Sequence, residues 1–111
     1  MTHEEEKSRA RSSCDVATKL ARRLQPWFYG AEARCPGGPY HVGNVRVILP
    51  FKDRHGWPAS IGVNAVRCVL HVGVNPRLGK REQRMASTIG AEAKKLRPSW
   101  CRRWQTVTSW R

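Results

Sequence analysis

The sequence predicts an α+β domain of order α-β-β-α, built on a central antiparallel hairpin, with a candidate short strand at the C-terminus. Three observations predict it. Apolar residues recur at helical spacing in two segments, one early in the chain and one late. Two β-branched, apolar runs lie between those segments. The charged turn Asp53-Arg54-His55-Gly56-Trp57-Pro58 separates the two runs, which makes a hairpin their natural pairing. Both helices are expected on one face of a small antiparallel sheet.

The first helix is expected over residues 4–24. Thr2 and Glu5 have capping-box spacing, and Glu4, Glu5 and Glu6 lie at the positive end of the helix dipole. Ala10, Val16, Ala17, Leu20, Ala21 and Leu24 form its apolar face, and Pro26 stops it. Residues 27–41 read as an irregular connection. In it Trp27-Phe28-Tyr29 is expected to pack over the core, and Cys35-Pro36-Gly37-Gly38-Pro39 is dense in turn formers. The strand candidates are Val42 to Phe51 and a longer Ser60 to Val74. Asn75 and Pro76 suit the N-cap and first position of a second helix over 76–96, whose stripe is Leu78, Met85, Ile89 and Leu96, extended by Ala86 and Ala93. Pro98 ends it. Residues 104–110 alternate well enough for a strand, although residues 1–3 and 105–111 are also where disorder concentrates in a domain this size.

A chain of 111 residues fits one domain, here taken as residues 1–111. Its charge is the outstanding feature. Twenty-one Lys and Arg face eight Asp and Glu, for a formal net charge of +13. Fifteen of the cations are arginine, the side chain that grips phosphate in a planar, bidentate manner and stacks on bases. Residues 76–111 carry a net charge of +8, so the excess is concentrated late in the chain. Domains this basic have the electrostatic footprint of nucleic-acid binders. The expected phosphate contacts are Arg77, Lys80, Arg81, Arg84, Lys94, Lys95, Arg102 and Arg103. Trp104 stands beside them as a stacking ring or, equally, as core.

The leading expectation is therefore a non-catalytic, accessory or regulatory binder of RNA or DNA, with room for a protein partner or self-association. One alternative is a metal-independent, toxin-like ribonuclease. It would use His55 as acid or base, Arg54 as charge clamp, and Tyr40 or His41 as second proton carrier. Another is a chain that needs a partner to fold. No P-loop, dinucleotide fingerprint, nucleophile elbow or His-Glu-x-x-His occurs, and no cofactor is expected.

Cys35-x5-His41 and Cys68-x2-His71 supply a zinc-like ligand set. The first pair is too loose, and the second would project to opposite faces of a strand. No metal is therefore expected, and Cys68 is read as a small buried apolar residue. The chain opens without a secretory signal and holds no apolar run near the ~18 residues of a membrane span. A cytoplasmic or nuclear location follows, with the four cysteines as free thiols and no membrane partner.

Overall fold

The computed structural model describes residues 1–35, 45–53, 55–74, 77 and 79–108. The order is α1 (His3–Leu24), β1 (Glu32–Arg34), β2 (Arg46–Lys52), β3 (Pro58–Asn64), β4 (Val69–Val72), α2 (Lys80–Lys94) and β5 (Gln105–Thr108). The strands form one mixed sheet in the order β1-β2-β3-β4-β5. The first three pairings are antiparallel and the last is parallel. The expected α+β class and central hairpin are present. The Cα radius of gyration is 13.4 Å, against about 13 Å for one compact domain of this length.

Helix α1 forms where its sequence places it. The Thr2 hydroxyl oxygen accepts from the Glu5 amide at 3.1 Å, and Thr2 Oγ1 donates to the Glu5 carboxylate at 3.1 Å. All six expected apolar positions are buried, together with Ser13. Alternate strand residues meet them: Val45, Val47 and Leu49 leading into and along β2, Ala59, Ile61 and Val63 of β3, and Leu70 and Val72 of β4. Ile89 and Ala93 of α2 join the same cluster, so both helices cover one face of the sheet.

The structure differs from the sequence expectations in four places. Residues 32–34, expected to be irregular, form strand β1 along β2. The long run from Ser60 to Val74 is broken in two. The Asn64 side-chain oxygen accepts from the Val66 and Arg67 amides at 3.1 and 3.0 Å, and Cys68 turns the chain at φ 58°. An Asx-type bond offers the backbone an alternative to the ladder, and here it makes the β3–β4 turn. Helix α2 starts at Lys80, after Gly79 at φ 144°, and not at position 76. The capping residues Asn75 and Pro76, and Leu78 of the expected stripe, lie outside the described residues. Finally, β5 is parallel to β4, because α2 carries the chain back across the sheet in a crossover. Pro50 sits within β2 where the β2–β3 register shifts, a bulge that tolerates its missing amide.

The expectation of free thiols is overturned. Cys14 is bonded to Cys35, and Cys68 to Cys101. The first bridge ties the middle of α1 to the end of β1, and the second ties the β3–β4 turn to the segment that leads into β5. Cys68 is half-buried in that turn and is not an apolar strand residue. Neither Cys35 nor Cys68 has a thiolate to offer a metal, so the four-residue zinc set does not exist. The described residues contain no group of three or more His, Cys, Asp or Glu suited to a metal. Among them no helix is long and apolar enough to cross a membrane.

Candidate nucleic-acid interface

The expected cationic residues fall into two groups along α2. Lys80, Arg81 and Arg84 stand on its first turns, and Lys94 ends it about 21 Å away at 1.5 Å rise per residue. The two groups open onto different clefts.

The larger cleft, about 500 Å³, is lined by Lys80, Arg81, Arg84, Met85 and Thr88 of α2, by Pro50 and Phe51 of β2, and by Trp27, Phe28 and Tyr29. The aromatic trio was expected to cap the core, and only its middle member does. Phe28 is buried and meets Phe51 with ring centroids 6.0 Å apart. Trp27 is 55% exposed and Tyr29 88% exposed. The local backbone accounts for this split. After α1 the chain keeps turning, with the Trp27 and Phe28 amides donating to Leu24 O at 3.0 and 2.7 Å. Gly30 then reverses it at φ 94°. Gln25 clasps the corner: its Nε2 donates to Ala31 O at 2.6 Å and its Oε1 accepts from the Gly30 amide at 2.9 Å. Two large rings are thus presented to solvent from a fixed corner.

A third ring lies at the same end of the sheet. In the β2–β3 hairpin the Asp53 carboxylate accepts from the His55 and Trp57 amides at 2.8 and 3.1 Å, and the Asp53 amide donates to Trp57 O at 2.7 Å. Trp57 emerges 71% exposed. Strand β1 enters antiparallel to β2 with Glu32 opposite Ile48, which puts the Trp27–Ala31 corner beside the hairpin end of β2. Exposed aromatic rings and the Lys80, Arg81 and Arg84 cations therefore share one end of the domain.

The smaller cleft, about 180 Å³, is lined by Lys94, Arg97, Arg102, Arg103 and Trp104 with Leu70, Gly90 and Thr106. Arg97 was not among the expected contacts. Its guanidinium donates to Cys101 O, which fixes the turn before β5. Trp104 is half-buried against the core and its indole N–H donates to Ala93 O at 2.8 Å, so its ring serves packing. Trp100 behaves likewise, donating to Ala65 O at 2.8 Å with the Arg9 guanidinium 5.3 Å from its ring. Lys95 lies apart from both groups and its Nζ is 3.0 Å from Glu92 Oε2. Arg77 precedes α2 and is exposed.

For the ribonuclease alternative, His55 lies in the exposed hairpin turn. Its expected companions Arg54, Tyr40 and His41 lie outside the described residues.

No known protein family matches this chain, and neither a curated protein nor a solved structure shows significant similarity to it.

Proposed function

We propose that the protein binds single-stranded nucleic acid, using the large cleft as its primary site. One observation carries the reading: exposed Trp27 and Tyr29 face a cleft whose other wall is Lys80, Arg81 and Arg84. Rings at the surface offer stacking faces worth ~1–3 kcal/mol per base, and every base has a face to stack. The cations neutralise backbone phosphates and release counterions. A duplex hides its base faces, so this combination favours single strands over duplexes. Lys94, Arg102 and Arg103 support a secondary, purely electrostatic contact.

The two disulfides support an oxidising compartment as the place of action, in preference to the cytoplasm or nucleus expected from free thiols.

Fluorescence anisotropy with labelled oligothymidylate tests the reading. W27A/Y29A is expected to weaken binding by ~1–3 kcal/mol per lost stack with the salt slope retained. R81Q/R84Q is expected to flatten the slope of log K against log salt by about 1.4, at ~0.7 per phosphate contact on a single strand. An unchanged affinity in the first variant together with an unchanged slope in the second would remove the cleft from consideration.

A further inference from the structure

Both helices lie on one face of the sheet, and the opposite face carries a row that the cleft does not use. Register places Arg34 opposite Arg46, Arg46 opposite Gly62, Gly62 opposite His71, and His71 opposite Val107. Five strands thus contribute one residue each to a single line across the sheet. Arg34, Arg46 and His71 are exposed. From Arg34 to His71 the line spans three strand spacings, about 14 Å.

Two features of this row are costly for the protein alone. Like charges placed directly opposite destabilise a sheet, and Arg34 and Arg46 are such a pair. Glu32 approaches Arg34 at 3.6 Å, but both side chains are well exposed, and such pairs are worth little. Arg46 has no ion-pair partner among the described residues. The second feature is Gly62. A side chain there would bring its Cβ within 3.2 Å of His71 Cβ and about 4 Å of the imidazole carbons, so the His71 side chain leans over the glycine. The glycine gives the imidazole room to lie across the strand towards Arg46, at the cost of a weaker strand interior. Half-buried Val107 ends the row and half-buried Ile48 borders it, which gives the face a partly apolar floor.

We propose that this row is a track for the phosphodiester backbone of a single-stranded nucleic acid whose bases engage the aromatic cleft. It rests on the reading of that cleft and extends it to the far side of the sheet. Continuity comes from β2. Pro50 lines the cleft and Arg46 lies on the track, about 13 Å apart along one strand at ~3.3 Å per residue. A short oligomer fills the cleft alone, and a longer one also crosses the sheet.

The test compares R34Q/R46Q with the parent protein on oligothymidylates of about 4 and about 16 nucleotides, the span of site sizes in single-strand binding folds. On the long oligomer the variant is expected to lose roughly tenfold in affinity at about 0.1 M salt and about 1.4 from the salt slope. Its binding of the short oligomer should not change. R34K/R46K, which keeps the charge, should recover most of the slope. The proposal is overturned if R34Q/R46Q leaves the long-oligomer slope intact, or if it weakens both oligomers equally. Loss of retention on phosphatidylserine vesicles with oligomer binding unaltered would also overturn it, in favour of an anionic lipid surface. The W27A/Y29A variant separates the two sites. If it leaves both oligomers bound as before while R34Q/R46Q weakens the long one, the cleft reading fails and the sheet face is the binding surface by itself.

Discussion

Ser13 lies on the buried face of α1, fully shielded from solvent, and its hydroxyl oxygen accepts from the Ala65 amide at 2.8 Å. The Ala65 carbonyl in turn accepts from the Trp100 indole. One small turn residue therefore joins the first helix, the β3–β4 turn and the segment after α2. Removing the hydroxyl strands a buried amide, whose desolvation costs ~1–3 kcal/mol, whereas the lost methylene-scale packing is minor. We expect S13A to lower unfolding stability by about that amount in a denaturant titration, with the denaturant slope unchanged. Gln25 has a comparable role at the other end of the sheet, where its two amide atoms hold the corner that exposes Trp27 and Tyr29. Neither role was legible from sequence. A serine among apolar positions and a glutamine before a proline carry no pattern of their own, and their partners lie on backbone that only folding brings near.

At the scale of elements, α1 was legible almost to the residue because cap, charge gradient and apolar stripe all agree. The expected stripe of α2 is also in place where described, with Ile89 and Ala93 buried and Met85 and Leu96 packed against the core. Of the expected cations, Lys80, Arg81, Arg84 and Lys94 lie on α2, whereas Arg77 precedes it and Lys95 caps it; their division between two clefts depends on what flanks each end. The two helices are joined by Glu92, whose side chain is nearly buried. Oε1 lies 2.8 Å from Arg23 Nε, and Oε2 lies 3.0 Å from Lys95 Nζ. The hydrogen bond from Lys95, then that from Arg23, holds the carboxyl below the usual glutamate range against the opposing effect of burial. A depressed folded pKa stabilises the fold above the unfolded value of about 4.3, and that contribution is lost as pH falls through the lower folded value. Melting temperature should therefore decline below about pH 4.3 more in the parent than in E92Q, which lacks this component but starts lower at neutral pH. Parallel pH profiles of the two proteins would sink the assignment.

For the whole molecule, two opposing quantities set the balance. A net charge of +13 repels itself, and a chain this short has a modest core. Each disulfide closes a loop, with separations of 21 and 33 residues, that restricts the unfolded chain by about 3–4 kcal/mol in the loop-entropy treatment. Together they amount to a large part of the ~5–15 kcal/mol by which domains are stable. We expect a thiol reductant to depress the melting temperature strongly at low salt, and bound polyanion or higher ionic strength to restore part of the loss by screening the charge. A melt indifferent to reductant would contradict both bridges. An even number of cysteines in a small, core-poor chain was the available signal for them, but four cysteines allow three pairings, and sequence spacing does not choose among these.

By itself the sequence determined what depends on neighbours along the chain: the first helix with its cap, the amphipathic second helix, the hairpin at Asp53–Trp57 and the placement of positive charge. Tertiary structure decided what depends on residues far apart in sequence. It paired Cys14 with Cys35 and Cys68 with Cys101, added β1 to the sheet edge and set β5 parallel to β4. It turned Trp27 and Tyr29 outward to face Lys80, Arg81 and Arg84, and aligned Arg34, Arg46, Gly62 and His71 across four strands. The physical reason is the range of the interactions. Capping bonds, dipoles and helical periodicity act over three or four residues and leave their mark on the local sequence. Sheet register, disulfide partners and the walls of a cleft are fixed by the packing of one core, which no local pattern records.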